Sequence, residues 1–381
     1  MPAWTRAALT LFAVGWGANQ FAALLPVYRV EDGATPAEVT LLFGAYAAGL
    51  IPALLVVAPI SDRLGRRRVI RPVLALSFVA TVVLMASGHS VWLLLVGRLL
   101  AGVASGAAFA PGTAWVKELT TGPAGTGARR AAIALSAGFG TGPLVAGVLA
   151  EWAPSPTVLP YVPHLVLTVA VAAVAWTTPE PTHAAAGPVD REARRVLATV
   201  RGRPFVLGIV PSAPWVFGAA TLAFATVPAV VELPGPEVAT GGAVVAMALW
   251  TGVLVQPTRR GKDPWTTILL GLGSAVGGFA LGLVAAQSGS GWLGLLAALP
   301  LGAAYGLVLV GGLTLVEQLA DPADLATVTA VFYSLTYLGF AAPYLGTLLL
   351  AHVSGPAAMT VLAALVLCVV PAVAAGRRSV G

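Results

Sequence analysis

The sequence alternates between long apolar runs and short polar segments that hold nearly all of its charges. A helix crosses the hydrocarbon core of a bilayer, about 30 Å thick, with about 20 residues, because it pairs its own backbone N–H and C=O groups. Twelve apolar runs suit this role, and they cover about residues 8–28, 39–59, 72–87, 92–112, 131–151, 160–178, 205–228, 238–256, 265–287, 292–316, 325–350 and 356–374. The pattern predicts an all-α integral membrane protein with twelve transmembrane helices.

The composition agrees with this class of protein. Hydrophobic residues make up 58% of the chain and charged residues 9%, and the mean hydropathy is +0.89. A soluble domain is about one quarter charged, so a water-facing surface could not be built from these residues. The net charge of +6 does not indicate a nucleic-acid partner, because the basic residues lie in short loops between apolar runs, where they face the lipid bilayer.

The distribution of the basic residues predicts the orientation. With the N-terminus in the cytoplasm, all of the 21 lysines and arginines except Arg29 and Arg98 fall on the cytoplasmic side. This asymmetry follows the positive-inside rule, and a missed span would disrupt it. We therefore expect both termini in the cytoplasm. The abundance of glycine and alanine suggests a bacterial gene and hence the plasma (inner) membrane.

The longest polar segment divides the chain into two halves. We expect an N-terminal six-helix bundle at 1–178, a cytoplasmic linker at 179–204 with a short amphipathic helix at about 189–200, and a C-terminal six-helix bundle at 205–381. The basic sequence at 63–66 recurs at 259–262, an offset of 196 residues that also aligns the spans around it. This repetition favours two pseudo-symmetric bundles that arose by duplication.

The segment between spans two and three carries the first motif, formed by Asp62, Arg63, Gly65, Arg66 and Arg67. A glycine permits a tight turn, and arginines hold it at the lipid headgroups. The motif resembles the signature turn of the major facilitator superfamily, although Ala58 replaces that family's leading glycine. The resemblance implies two six-helix bundles, alternating-access transport of a small molecule, no cofactor and a monomer. The residues alone also allow a simple topogenic loop.

The fourth span carries Arg98, Gly102 and Gly106 at intervals of four residues. An arginine near the centre of a membrane helix costs about 2.5–3.5 kcal/mol, so Arg98 should face a wet cavity or an internal partner. The two glycines open a flat face for close helix packing. The pattern resembles a second superfamily motif, whose arginine is associated with proton coupling or substrate handling. The alternative is that Arg98 extends to the outer interface.

The fifth span carries a glycine and proline pattern formed by Gly138, Gly142, Pro143 and Gly147. It resembles the motif of the drug and metabolite exporters of the superfamily, with Ala146 in place of one glycine. Proline bends a helix and glycine permits close approach, so the span suits a hinge between the halves. Glycine-rich packing alone is the alternative interpretation.

Polar and aromatic residues on several spans predict a substrate cavity. Asn19 and Gln20 lie near the middle of span one, where amides need partners or water. The aromatic residues at 333, 337, 340 and 344 follow helical spacing on span eleven. With Arg98, the candidate cavity residues are Asn19, Gln20, Tyr46, Trp215, Trp250, Tyr305, Tyr333 and Tyr337. Packing is the other interpretation of each aromatic residue.

The leading functional hypothesis is a secondary active transporter, most simply a proton-coupled antiporter for efflux of a drug or metabolite, as in multidrug resistance. An acidic proton carrier is absent from the middle of every predicted span, and we interpret His164 mainly as a packing residue that could titrate. A sugar or metabolite facilitator or importer fits this absence better. A membrane ligand sensor is a distant alternative. Neither hydrolase nor phosphate-binding motifs occur, so we expect neither an enzyme nor a metal site.

Overall fold

A computed structural model of the chain describes residues 1–31, 36–88, 90–122, 126–180, 189–259, 261–321 and 325–379. Within these ranges every secondary-structure element is a helix, which confirms the predicted all-α fold class. In the same ranges, eleven helical spans are long and apolar enough to cross a membrane, and Leu159–Ala175 is a shorter apolar helix. Each of the twelve predicted runs therefore coincides with a helix, and the sixth is the short one.

The helices group into two compact units. Unit one comprises residues 1–187 and 236–246, and unit two comprises residues 188–235 and 247–381. The predicted boundaries at 178 and 204 stay a prediction. Unit one contains α1 (Ala3–Asn19), α2 (Leu25–Glu31), α3 (Pro36–Leu64), α4 (Arg66–Met85), α5 (Val91–Glu118), α6 (Thr126–Trp152) and α7 (Val162–Ala175).

The remaining helices begin after residue 188. They are α8 (Val189–Arg201), α9 (Val210–Ser212), α10 (Pro214–Ala225), α11 (Glu237–Val255), α12 (Pro264–Ser288), α13 (Gly291–Leu319), α14 (Leu325–Tyr337), α15 (Ala342–Leu350) and α16 (Gly355–Arg378). The first turns of α11 belong to unit one and the rest of that helix to unit two. The helix predicted at about 189–200 is present as α8.

In unit one, α1 lies at the centre and packs against α4, α5, α6 and α7. Ten of the 17 residues of α1 are buried, against nine of the 20 residues of α4. In unit two, α10 packs against α13, α14 and α15, while α12 packs against α13 and α16. Apolar side chains that remain exposed, such as Leu254 and Val166, are those a lipid environment would cover.

Three of the predicted spans are interrupted helices. The first changes from α1 to a 3₁₀ helix at Gln20–Leu24 before α2 begins. The seventh opens with a π-helix at Phe205–Ile209 and continues through two prolines, each at the start of a short helix. Span eleven changes to a 3₁₀ helix at Leu338–Ala341. Such breaks are tolerated at membrane depth where neighbouring helices satisfy the freed backbone groups.

The tight turn predicted at the basic segment is present at Gly65, which alone separates α3 from α4, and the arginines that follow it begin α4. One detail of the sequence analysis is wrong. The aromatic stripe on span eleven does not extend to Tyr344, whose side chain is 45% exposed, because the helix breaks between Tyr337 and that residue. The periodicity was extrapolated through a segment that has lost its α-helical geometry.

At the start of α12, Asp263 caps the helix by accepting hydrogen bonds from the Thr266 backbone N–H at 3.0 Å and hydroxyl at 2.6 Å. Arg377 Nη2 lies 3.3 Å from the Asp263 Oδ2 atom. Burial alone would raise the pKa of the Asp263 carboxyl, but these hydrogen bonds and the arginine charge hold the pKa below its usual value. The carboxylate therefore stays ionised at its helix N-terminus.

Helices α3 and α5 pack with their backbones in contact. A Cβ atom on Gly102 would collide with the carbonyl oxygen of Tyr46, and one on Gly106 would collide with that of Leu50. The four-residue spacing places both glycines on one face of α5, which lets α3 approach closely. This confirms the flat packing face predicted for this span.

We expect Gly102→Ala to lower the free energy of unfolding by about 1–3 kcal/mol, because a backbone carbonyl cannot move aside as a side chain can. Gly273→Ala on α12 is the matched control, since nothing lies within 4 Å of a Cβ there. The control should stabilise its helix slightly. Thermal unfolding of the purified protein measures both, and equal midpoints for the two variants would contradict this packing.

Candidate functional site

Arg98 is buried inside unit one, with 2% of its surface exposed. Its Nε donates to the carbonyl oxygen of Leu42 at 3.3 Å, and its Nη1 donates to that of Ala18 at 3.1 Å. The guanidinium carbon lies 4.7 Å from the centre of the Phe21 ring and 4.5 Å from that of Tyr46. Carbonyl dipoles and ring faces therefore stabilise the charge within the bundle, so its side chain does not extend to the interface.

The two amides near the middle of the first span bond to different helices. Asn19 Nδ2 donates to the carbonyl oxygen of Phe139 on α6 at 3.0 Å. Gln20 Nε2 donates to Thr81 Oγ1 on α4 at 3.3 Å. Together with Arg98 on α5, which binds the Ala18 carbonyl, they join residues 18–20 of the first span to three other helices. The structure thus brings together Asn19, Gln20, Tyr46 and Arg98.

An aromatic cluster occupies unit two, where Phe217 on α10 touches three other rings. Its ring centre lies 4.7 Å from Tyr337, 5.0 Å from Phe340 and 5.7 Å from Tyr305. The Phe217 and Tyr337 rings are stacked, with 21° between their planes. Tyr305 and Tyr337 were candidate cavity residues, whereas Phe217 was missed because a single phenylalanine in an apolar helix carries no sequence signal.

The other aromatic candidates, Tyr333, Trp215 and Trp250, differ in burial. Tyr333 is buried and pairs with Phe332 at 5.8 Å. Trp215 is half-buried and meets Phe279 edge-on at 6.3 Å. Trp250 is 37% exposed. Their roles as substrate contacts stay predictions.

The basic segment after α3 is held by two acidic residues of unit one, one at the end of α5 and one after α7. Arg66 donates to Glu118 at the end of α5, with Nη2 to Oε1 at 2.9 Å, and to Ser61 Oγ at 3.2 Å. Glu180, which follows α7, accepts from the backbone N–H groups of Arg66 at 2.6 Å and Arg67 at 2.9 Å. It thereby caps the N-terminus of α4.

Gly65 makes this cap possible. Its φ angle is +99°, a conformation that other residues rarely adopt, and a Cβ atom there would lie 2.9 Å from the Glu180 carboxylate carbon. Arg63 is exposed, and the side chain of Asp62 lies outside the described residues. The roles of Glu118 and Glu180 were not predicted.

The glycines of span five contact two different helices. Gly138 and Gly142 face α1, where a Cβ on Gly142 would lie 2.7 Å from the Trp16 carbonyl oxygen. Gly147 and Pro143 face the first turns of α11, and a Cβ on Gly242 would lie 2.5 Å from the Pro143 carbonyl oxygen.

The end of α6 also caps the start of α11. Glu151 Oε2 accepts from the backbone N–H groups of Val238 at 3.0 Å and Ala239 at 3.2 Å. A carboxylate at a helix N-terminus is stabilised by the helix dipole. No sequence pattern indicates this contact, because its partners lie 87 and 88 residues from Glu151.

The comparisons with known proteins decide the family. The sequence profile described as Major Facilitator Superfamily matches residues 7–343. The chain belongs to the Major Facilitator Superfamily. No curated protein matches it in sequence. Among solved structures, it is similar to a mutant of the nucleoside transporter NupG, with 12% identity, a TM-score of 0.73, and coverage of 98% of this chain and 99% of that one.

This membership makes the chain a multi-pass membrane protein with the transporter fold of the superfamily. At 12% identity the likeness to NupG shows the fold alone. Within the described ranges of the chain, no group of three or more histidine, cysteine or acidic side chains could hold a metal ion. The buried groups that could meet a solute in this superfamily member are those around Arg98 in unit one and the Phe217 cluster in unit two.

We expect Gly65→Ala to destabilise this superfamily member more than Gly261→Ala does. Both glycines have positive φ, at +99° and +64°, so both variants bear a backbone cost of about 1–2 kcal/mol. Only at Gly65 does the new Cβ meet Glu180, because nothing lies within 4 Å of a Cβ on Gly261. Thermal unfolding measures the difference, and equal losses would show that Glu180 does not depend on this glycine.

Proposed function

We propose that this chain is a secondary active transporter that moves a small organic molecule outward across the plasma membrane in exchange for protons. It works by alternating access, as a monomer with both termini in the cytoplasm. Family membership supports transport, and the one-sided distribution of basic residues supports the orientation. Efflux of a drug or metabolite is the specific form of transport proposed.

The contact of α6 with the first turns of α11 carries the proposal of efflux. Span five resembles the exporter motif, and its Pro143 and Gly147 meet Gly242 backbone to backbone. By the predicted duplication, spans five and eight belong to different repeats. A contact between small residues has no interlocking side chains, so it can slide or part at low cost as the repeats rock.

The buried groups of each unit support the class of solute. Arg98 would attract an anionic or hydrogen-bonding group, since a guanidinium donates to acceptors in a fixed geometry. The Phe217, Tyr305, Tyr337 and Phe340 rings would accept a flat apolar portion, because stacking on aromatic faces tolerates many solutes. Together these groups favour an amphipathic, neutral or anionic organic molecule.

A second candidate function is the movement of a nucleoside-like solute. The stacked Phe217 and Tyr337 rings are suited to a planar base, and the structurally similar NupG is a nucleoside transporter. The alternative in which the solute is not exchanged for protons is a facilitator or importer of sugars or other metabolites. The direction of the proton gradient that drives accumulation separates these functions.

Reconstitution in liposomes tests the proposal, with chloramphenicol, uridine and glucose as probe solutes. An antiporter accumulates solute when the lumen is acid, a symporter accumulates it when the exterior is acid, and a facilitator only equilibrates it. We expect accumulation of chloramphenicol, a neutral amphipathic drug, in acid-loaded vesicles and recovery of the solute chemically unchanged. Accumulation only from an acid exterior would replace efflux with import, and a modified solute would indicate an enzyme.

We expect Gly242→Ala to slow solute exchange, because its Cβ would press on the Pro143 carbonyl and separate α6 from α11. Gly241→Ala is the matched control one residue earlier, where nothing lies within 4 Å of a Cβ. A loss of about 1.4 kcal/mol in the favourable contact corresponds to a tenfold change in the equilibrium that it controls. Initial exchange rates in the same liposomes measure the effect, and equal rates for both variants would remove this contact from the mechanism.

A further inference from the structure

The side chain of His164 is completely buried where α7 meets α1 and α4. Its Nδ1 lies 2.9 Å from Thr81 Oγ1 on α4. Its Nε2 lies 3.1 Å from the Ala13 carbonyl oxygen on α1 and 3.1 Å from Thr168 Oγ1 on α7 itself. A Cβ atom on Gly17 would lie 2.5 Å from Nε2, so α1 leaves room for the ring because residue 17 is glycine.

The Ala13 carbonyl determines which ring nitrogen carries the hydrogen in the neutral form. A carbonyl oxygen only accepts, so His164 Nε2 must be the N–H group that donates to it. Nδ1 then keeps its lone pair and accepts from the Thr81 hydroxyl. Nδ1 is therefore the ring atom that can bind an additional proton.

The hydrogen bonds continue from Thr81 to the first span. Thr81 Oγ1 accepts from Gln20 Nε2 at 3.3 Å, so the bonds run in one direction, from the Gln20 amide through the Thr81 hydroxyl to His164. Gln20 Oε1 is buried and has no hydrogen-bond partner within the part of the chain that the structure describes. The amide therefore holds an unused acceptor beside a hydroxyl that can turn.

These contacts meet where the first span changes from α to 3₁₀ geometry. Gln20 is the first residue of the 3₁₀ segment, and the carbonyl of Ala18 binds Arg98. The Ala13 and Ala18 carbonyls are five residues apart, about 7.5 Å along a helix. A positive charge on His164 would therefore lie beside the same segment of α1 that the Arg98 guanidinium contacts. The two positive charges would repel each other.

The other charged groups of the helices packed against His164 lie at the far end of unit one. Arg6 contacts Thr177 and Arg71 contacts Trp176, at least twelve residues beyond His164, which is about 18 Å of helix. The Tyr161 hydroxyl pairs with that of Tyr28 at 2.6 Å. The further basic residues at the start of α4 are Arg66, Arg67 and Arg68.

We propose that His164 Nδ1 binds the proton whose movement is coupled to solute transport, an inference that rests on the proton-coupled function proposed above. Binding forms an N–H bond at Nδ1, and this group then donates to Thr81 Oγ1. The Thr81 hydroxyl hydrogen, displaced from Nδ1, turns toward Gln20, whose amide rotates so that Oε1 accepts it. Release of the proton from Nδ1 restores the original direction.

This assignment supplies the proton carrier that the acidic residues do not provide. Reversal of the hydrogen bonds at Gln20 changes the contacts that hold the 3₁₀ segment in place. The new positive charge on His164 also repels the charge of Arg98. Both effects alter α1 at the residues that hold the candidate site. The proton and the solute would thus compete through one helix, which is the requirement for exchange.

The test compares the wild type, His164→Gln and His352→Gln in liposomes with an imposed pH gradient and with chloramphenicol, uridine and glucose as solutes. Glutamine can still donate to the Ala13 carbonyl but cannot bind the coupled proton. His352 is exposed and bonds to the Leu348 carbonyl, so its variant is the matched control. We expect His164→Gln to lose gradient-driven accumulation while it keeps gradient-free exchange of labelled solute, and His352→Gln to keep both.

The outcomes separate this inference from the proposed function. Gradient-driven accumulation by His164→Gln at the wild-type level overturns the role of His164 and leaves proton-coupled efflux standing. Flux that ignores the gradient in the wild type overturns both. If His164→Gln fails to fold, ¹⁵N-histidine spectra of the wild type decide, with Thr81→Val to assign the His164 signal. We expect the Nε2–H form to become doubly protonated on acidification, and a ring that stays neutral until unfolding overturns the inference.

Discussion

The structure depends on one constraint, which is that a polar group placed within lipid must find its partner inside the protein. For the backbone this requires helices, and each of the twelve apolar runs forms one. For the side chains it requires contacts between helices, such as that of Arg98 with two carbonyls and two rings. The few polar side chains inside unit one therefore link its helices together.

Close backbone contact is the second means of joining the helices. Gly102 and Gly106 bring α5 against α3, and Gly138 and Gly142 bring α6 against α1. Lipid tails are as apolar as leucine, so burial of apolar side chains alone gives little drive for helix association in a bilayer. Flat glycine faces gain dispersion contacts, and they also remove the side chains that would lock one helix against another.

The sequence predicted the helices well because length and apolarity are local properties of each run. It predicted the flat face of α5 for the same reason, since a four-residue spacing defines a helix face wherever the helix packs. It did not predict the partners of Arg66, because Glu118 and Glu180 lie 52 and 114 residues away. The Thr81 contact of His164 spans 83 residues, and only the tertiary packing determines it.

The 3₁₀ segment at Gln20–Leu24 contributes to the length and twist of the first span. A 3₁₀ helix rises about 2.0 Å and turns about 120° per residue, whereas an α-helix rises about 1.5 Å and turns about 100°. Conversion of five residues to α geometry would shorten the span by about 2.5 Å and swivel α2 by about 100° relative to α1. A change of hydrogen bonding within the 3₁₀ segment would therefore rotate α2 about the axis of the first span and shift it along that axis. A different side of α2 would then face its surroundings.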